Sequence, residues 1–571
     1  MIAVLASILI QATPAASPSA APSPPAVQTP SPSAPPPGTL VASPATVGMN
    51  PAQQRVVTVS GSSGTISARL DSPLAAVSVD QVAHAISIAA SNATGSTVLH
   101  VSDASGAAVD VPVRVAFNAG TIVPQATLKI TGSPVDPQWL AREANALIAR
   151  LDPAQPGAQV TVGAPSVAPA APPQPGASAD YLFPVQIGGL PDDFDVQGTT
   201  ALHVTNVPAT PFAPGTLFYD DDPERIAQDG VLFRGVVGPD APARLYYYHD
   251  VPASDRRRLV VVLSTESSDP ASVQLVGAQA GPNLDVMTVG NAVTRSFLTI
   301  KPRNQGTIVD LDAGVPYVVR DRVLSDRQGA AGTIDVRVLS GGSVRVTVLA
   351  LSPGADPNAF LGAPVLPGDG HHRTGVFNLG DFGSHALAFN AGGPDAKLVI
   401  GDRDPTLGNA DPAATGRDYG DYGVWYDLAF TLANPGDAPA QVYLYFRPIG
   451  GVARGSFTVD GIPLDLGCMR LSVPYEIAAY TLSARETRVA HLSTMTDGGS
   501  NYPVEIGATV TAPQPTAPPV SSPDGCFPKT VPPSPATAAT PAPAQSPPPL
   551  VPSPPPALVT PVPGPPSPPP V

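Results

Sequence analysis

Hydrophobic and polar residues alternate with a period of two through most of the chain between residues 46 and 512, as in half-buried β-strands. In VDVPVRV, residues 109–115, the four valines share one face, while Asp110, Pro112 and Arg114 share the other. Pro112 cannot donate a ladder hydrogen bond, which favours an edge strand there. Similar runs, such as VVTV from Val56, recur between Gly, Asn, Asp and Pro residues. This spacing predicts antiparallel β-sandwiches.

One segment has a helical period instead. Asp136 suits an N-cap and Pro137 suits the first helical position. The apolar residues then recur at helical spacing: Leu140, Ala144, Leu147, Ile148 and Leu151. Strand-like ATLKITG precedes this segment and AQVTVG follows it. Residues 119–163 are therefore predicted to form a small βαβ module of the α+β type.

Proline divides the chain into predicted folded and extended parts. Of the 571 residues 75 are proline, more than twice the ~5% that is typical. Residues 22–45, 164–180 and 513–571 are rich in Pro, Ala and Ser. Such stretches favour polyproline II and predict disordered spacers.

The N-terminal segment and the two cysteines indicate the compartment in which the protein resides. The apolar run from Ile2 to Ile10 has the length of a signal-peptide core, so residues 1–21 are predicted to be a signal peptide, although no Lys or Arg precedes the run. Export would place the protein in the periplasm, on the cell surface or outside the cell, with no membrane span after cleavage. There Cys468 and Cys526 are expected to form one disulfide, which would stabilise the fold by a few kcal/mol; two unpaired thiols are the alternative.

Charge excludes one class of partner. The chain has 30 basic and 45 acidic residues and a net charge of −15, which repels phosphate backbones. Nucleic acid is therefore not an expected partner. No nucleophile elbow, HExxH, Walker A or CxxC motif occurs in the chain.

A near-repeat links two distant strands. DAPARLYYYHD begins at Asp240, and DAPAQVYLYFR begins at Asp437. In strand register Tyr246 and Tyr248 match Tyr443 and Tyr445 on one face. Paired tyrosines suit a half-exposed sheet face, a seam between domains, or an exposed stacking platform for sugars. The repeat predicts two related sandwiches, residues 181–352 and 353–512.

Oxygen-rich loops provide the candidate metal ligands. In GDRDPTLGNADPAATGRDYGD the residues with calcium-like spacing are Asp402, Asp404, Asn409 and Asp411, with a solvated loop as the alternative. Three adjacent carboxylates, at residues 220–222, are a weaker candidate because neighbouring side chains point in different directions. Imidazoles at residues 371, 372 and 385, with Asp381, could bind a transition metal or could lie in exposed loops. No other cofactor is expected.

The N-terminal region also carries a resemblance. From Leu74 to Val115 the chain contains a G-x-T-x-L-x-V-x-D-x-x-G pattern followed by an alternating valine strand, with these residues in register: Gly95, Thr97, Leu99, Val101, Asp103, Gly106 and Val113. It resembles bacterial immunoglobulin-like domains and the N-terminal domain of pilus-type secretins, in which a small βαβ module follows. No secretin pore domain occurs downstream. The resemblance implies an envelope-associated scaffold with an immunoglobulin-like domain at residues 46–118, and no catalytic residues.

Together these features predict a mainly β, multidomain protein of antiparallel immunoglobulin-like sandwiches, one small α+β module and Pro-rich ends. The expected function is that of an exported, non-enzymatic structural or interaction protein of the cell envelope or surface. Envelope proteins, surface proteins and glycans are its expected partners. The alternatives are a carbohydrate-binding or carbohydrate-active protein and an accessory of pilus or secretion machinery.

Overall fold

The computed structural model describes residues 39–403, 406–407 and 420–515, and the chain divides into two compact units, Met1–Thr210 and Pro211–Val571. The predicted signal peptide, most of the first Pro-rich segment and nearly all of the C-terminal one lie outside the described residues. The described residues are mainly β-strand, with two α-helices. This confirms the predicted fold class.

The first unit begins with a two-sheet sandwich. Its strands are β1 (Val41–Ser43), β2 (Val47–Met49), β3 (Gln54–Ser60), β4 (Ile66–Leu70), β5 (Ala75–Asp80), β6 (Ala85–Ala90), β7 (Gly95–Asp103) and β8 (Ala108–Val115). The sheet orders are β1-β3-β6-β5 and β2-β8-β7-β4. Val111, Val113 and Val115 of β8 are buried, as their alternation predicts. β8 lies between β2 and β7 and is not an edge strand, but the three residues of β2 pair only with Val113–Val115, so Pro112, which has no backbone donor, lies beyond the end of β2.

The rest of the first unit is the predicted α+β module, enlarged by two long strands. Its elements are β9 (Gln125–Thr131), α1 (Pro137–Leu151), β10 (Gln159–Val162), β11 (Ser178–Gly188) and β12 (Val196–Asn206). The Asp136 side chain accepts a hydrogen bond from Gln138 N (2.8 Å), which caps α1 as expected. The sheet order is β10-β11-β12-β9, and β12 runs parallel to β9.

Two expectations about residues 164–206 differ from the structure. The strands β11 and β12, expected to open the sandwich at 181–352, instead complete the sheet of the small module. The Pro-rich segment before them lies along β11, where Ser166 N donates to the carbonyl of Leu182 (2.8 Å). Hydrogen bonds at the residues between prolines thus hold part of this segment against the sheet.

The first sandwich of the second unit has one large and one small sheet. Its elements are β13 (Thr216–Asp220), β14 (Gly230–Val237), β15 (Ala243–Asp250), β16 (Arg256–Thr265), β17 (Ala271–Asn283), α2 (Val286–Ile300), β18 (Gly306–Leu311), β19 (Tyr317–Ser325), β20 (Gly329–Ser340), β21 (Val344–Leu351) and β22 (Thr374–Asn378). Within this unit the large sheet has the order β18-β17-β20-β15-β13-β22, and the small one β14-β21-β16-β19. Their buried residues form one core, dominated by Val and Leu.

The second sandwich follows. Its strands are β23 (Ser384–Asn390), β24 (Ala396–Ile400), β26 (Trp425–Ala433), β27 (Ala440–Pro448), β28 (Ala453–Val459), β29 (Ile462–Met469), β30 (Tyr475–Leu482), β31 (Thr487–Met495) and β32 (Val504–Thr509), while β25 (Thr406–Leu407) returns to pair with β22 of the first sandwich. The sheet orders are β23-β26-β31-β28-β29 and β24-β32-β27-β30. The pairs β13–β15 and β23–β26 are parallel, while strand pairs such as β15–β20, β26–β31 and β27–β32 are antiparallel, as expected.

Candidate functional site

The two copies of the tyrosine repeat occupy different places in the second unit. The first copy is β15, which lies between antiparallel β20 and parallel β13. The second copy is β27, which lies between β30 and β32, antiparallel to both. The two strands are therefore not equivalent positions of one repeated domain.

The tyrosines of β15 pack against the second sandwich. Tyr246 stacks on Tyr219 of its own sheet (5.6 Å between ring centroids) and on Tyr422 of the second sandwich (6.0 Å). Tyr246 and Tyr248 are 4% and 5% exposed. We call this contact region the joint: it comprises β15, α2 and β20 on one side and β28, β29, β31 and the loops at residues 420–425 and 496–502 on the other.

The tyrosines of β27 are also packing residues. Tyr445 is buried and its hydroxyl donates to Glu505 Oε1 (2.7 Å), while Tyr443 is half-buried. These four tyrosines therefore do not form an exposed face on which sugars could stack. Two neighbouring aromatic residues are packed as well: Trp425 lies edge-on against Phe297 of α2 (6.1 Å), and Tyr426 is buried.

Asn291 of α2 is the polar centre of the joint. Its Nδ2 lies 2.8–2.9 Å from three acceptors of the second sandwich: Ser456 Oγ, Asp465 Oδ1 and Asp497 Oδ2. One residue earlier, a Cβ added to Gly290 would lie 1.9 Å from the carbonyl oxygen of Gly498. Only glycine allows the helix to approach that loop so closely.

A buried ion cluster forms the other half of the joint. Asp335 of β20 accepts hydrogen bonds from Arg244 Nε (2.7 Å) and Nη2 (3.2 Å), and Lys301 Nζ lies 2.5 Å from its second oxygen. Arg244 Nη1 donates to the carbonyl of Gly423 in the second sandwich (2.9 Å). Burial alone would raise the pKa of Asp335, but the charges of Arg244 and Lys301 hold it below its usual value.

A third group of ionisable residues lies beside β13. Asp220 and His249 are both fully buried, with 3.2 Å between Oδ2 and Nε2. Burial disfavours the imidazolium, but the facing Asp220 carboxylate raises the pKa of His249 overall. Burial and the neighbouring charge of Glu224 raise the pKa of Asp221 well above its usual value, although the Tyr219 hydroxyl donates to it (3.2 Å). The three adjacent carboxylates do point to different partners, as expected.

The histidines at residues 371 and 372 lie near this group. His372 contacts Glu224, and its Nδ1 lies 2.7 Å from Asp369 Oδ2, while His371 is exposed. The third histidine, His385, stacks on Tyr426 instead (6.1 Å between centroids). Across the described part of the chain, no group of three or more His, Cys, Asp or Glu side chains is arranged to hold a metal ion.

Two predicted sites fall largely outside the described residues. Of the calcium candidates only Asp402 is described, and it is exposed, while Asp404, Asn409 and Asp411 lie outside. Cys468 is half-buried in β29, and Cys526 lies outside. The calcium site and the Cys468–Cys526 disulfide therefore stay predictions.

A buried carboxyl in the joint predicts a pH effect. Asp497 is fully buried, and burial raises its pKa to about 7, far above that of the unfolded chain. Because the pKa of Asp497 is higher in the folded than in the unfolded chain, the folded protein binds the Asp497 proton more tightly. Its contribution to the free energy of unfolding is therefore complete at low pH and is lost as pH rises from about 4 through 7. We expect Asp497→Asn to flatten the decline in melting temperature between about pH 5 and 8, measured by scanning calorimetry. Parallel pH profiles of the variant and the wild type would contradict this.

Sequence reasoning missed the joint residues. Asn291 and Asp335 are polar residues within mainly apolar segments, VMTVGNAVT and GTIDVRV. A polar side chain in a mainly apolar segment is the one available signal, because such a group needs a partner if it is buried. The partner itself, up to 206 positions away for Asn291, is not visible in the sequence.

Comparisons with known proteins identify no family. No family model and no curated protein matches the chain significantly. Among solved structures, tripeptidyl peptidase 2 is 10% identical, with 83% of this chain and 34% of that one covered at a TM-score of 0.13. InvD of Yersinia pseudotuberculosis is 11% identical (56% and 98% covered, TM-score 0.13), and the tandem CBM22 domains of Paenibacillus barcinonensis Xyn10C are 8% identical (63% and 86%, TM-score 0.11). Likenesses this weak carry no argument about function.

The class of protein therefore rests on the fold itself. The chain is a mainly β protein of β-sandwiches, with a small α+β module in the first unit. Within the described residues, no helix combines the length and hydropathy needed to cross a membrane.

Proposed function

We propose that this protein is an exported, non-enzymatic structural or interaction protein of the cell envelope or surface. Its partners are proteins or glycans of that surface. The observation that carries this function is the joint, where buried polar side chains hold two sandwiches together.

The chemistry of the joint supports a mechanical role. The ionised side chains Arg244 and Asp335 are at most 2% exposed and contact each other, and Arg244 also contacts the second sandwich, so neither has access to a substrate. The buried ion pair orients Arg244, and the hydrogen bonds from Arg244 to Gly423 and from Asn291 to Asp497 then hold the two sandwiches in one arrangement. A rigid pair of sandwiches can present its loops and sheet edges at a fixed spacing to a partner.

The sequence supports the location. The apolar run at residues 2–10 has the length of a signal-peptide core, and Pro-rich segments at both ends have the composition of spacers. Spacers of this kind hold folded domains at a distance from the layer to which they are attached.

Fractionation of cells that express the full chain tests the proposal. We expect the protein in the envelope or the medium with its N-terminal residues removed, as read by N-terminal sequencing. A chain without residues 1–21 is the matched control and should stay in the cytoplasm. Recovery of the full chain in the cytoplasm with Met1 or Ile2 at its start would contradict the proposal.

A further inference from the structure

The strand β23 lies at the edge of the second sandwich. It pairs with β26 on one side, and within the described residues no strand pairs with its other side. Ser384, Ala386, Ala388 and Asn390 are exposed, and the seven residues SHALAFN contain no Asp, Glu, Lys, Arg or Pro. An edge of this kind is free to pair with another strand.

Other edge strands of the second unit carry features that discourage such pairing. Charged residues or proline occur in each of β19, β24, β29 and β30: Arg320, Asp321 and Arg322; Lys397; Pro463 and Asp465; Glu476. Charges and proline on an edge oppose the addition of a further strand. β23 lacks this protection.

The backbone of β23 shows which groups face outward. Ala391 N donates to the carbonyl of Ala433 (2.8 Å), and the carbonyl of Gly383 accepts from Asp427 N (2.9 Å), so both residues direct their backbone groups towards β26 or its continuation. In a strand these directions alternate from residue to residue. The N–H and C=O groups of Ala386 and Ala388 therefore point away from the sheet.

We propose that β23 pairs with β23 of a second copy of this chain, antiparallel, about a two-fold axis through Leu387. In this register Ala386 faces Ala388 of the other copy, and the two residues exchange both backbone hydrogen bonds, as outward-facing residues of an antiparallel pair do. The symmetry repeats the same exchange on the other side of the axis. A two-fold contact requires a self-complementary surface, and this strand supplies one.

The side chains fit the same register. On the outer face small Ala386 lies opposite small Ala388, and Ser384 lies opposite Asn390, so polar groups meet polar groups. On the inner face His385 lies opposite Phe389, an aromatic pair of the kind that stabilises neighbouring strands. The absence of charged residues from β23 also favours this contact. Two copies of a chain with a net charge of −15 repel each other, and a neutral surface is where they can approach with the least repulsion.

A cysteine placed on the axis tests the register. Residues opposite each other in a non-hydrogen-bonded pair have Cα atoms about 4.5 Å apart, within disulfide reach. We expect full-length Leu387→Cys to form a disulfide-linked dimer on oxidation, seen on non-reducing gels, and the wild type to form none. Ser384→Cys is the control: its two copies would lie about 20 Å apart and should not link.

A proline on the edge tests the pairing without new cysteines. Ala388→Pro removes an N–H that is paired with no other described residue of the chain, whereas Ala388→Thr keeps it. Sedimentation of the full chain between about 1 and 300 µM should show a concentration-dependent dimer for the wild type and for Ala388→Thr, weakened at least about tenfold in Ala388→Pro. A wild type that stays monomeric throughout, equal dimerisation of all three chains, or equal cross-linking at positions 384 and 387 would overturn the proposal.

Discussion

Asp335→Ala is expected to lower the free energy of unfolding of the second unit by about 3 to 5 kcal/mol, the usual cost of removing one partner from a buried ion pair. Arg244 and Lys301 would then remain beside each other without the carboxylate that both contact. For a unit of this size the loss corresponds to a fall in melting temperature of roughly 5 to 8 °C, which scanning calorimetry of the full chain measures.

Asp437→Asn is the control for this prediction. Asp437 also pairs with an arginine, Arg485 (2.6 Å), but its side chain is 88% exposed. Exposed ion pairs contribute at most about 1 kcal/mol, so this variant should melt close to the wild type. Equal effects of the two substitutions would show that the buried cluster does not stabilise the joint.

Asn291→Ala should be the second most damaging change. It removes the amide that contacts Ser456, Asp465 and Asp497, and buried acceptors that lose their donor cost about 1 to 3 kcal/mol. Because the lost contacts cross the joint, we also expect faster proteolysis between β22 and β23, where the two sandwiches are connected.

Asn358→Ala is the matched control because Asn358 is exposed and its side chain takes no part in the joint. The two variants are compared by calorimetry and by limited proteolysis of the full chain. If the Asn291→Ala protein melts and resists protease like the control, Asn291 does not stabilise the joint.

Local features of this protein were predictable because they depend on neighbouring residues. The alternation of valines in β8 and the cap of α1 at Asp136 appear in the structure as expected, since each rests on residues a few positions apart. Burial around α1 was less predictable: Trp139 is buried although the helical pattern did not include it, and Leu151 is 40% exposed at the helix end. The position of the domain boundary was also not predicted, because the strand patterns of β11 and β12 fit either of the two neighbouring domains.

The tyrosine repeat shows which features depend on the sequence alone and which depend on the tertiary structure. Its alternation placed Tyr246 with Tyr248, and Tyr443 with Tyr445, on one face of a strand, and by itself the sequence determined no more than that. Only the tertiary structure decided that Tyr246 lies against Tyr422 and that Asn291 meets Asp497. Strand and helix preferences follow from local backbone sterics and side-chain spacing, whereas burial at a joint depends on which distant surfaces pack together, and no local pattern encodes that choice.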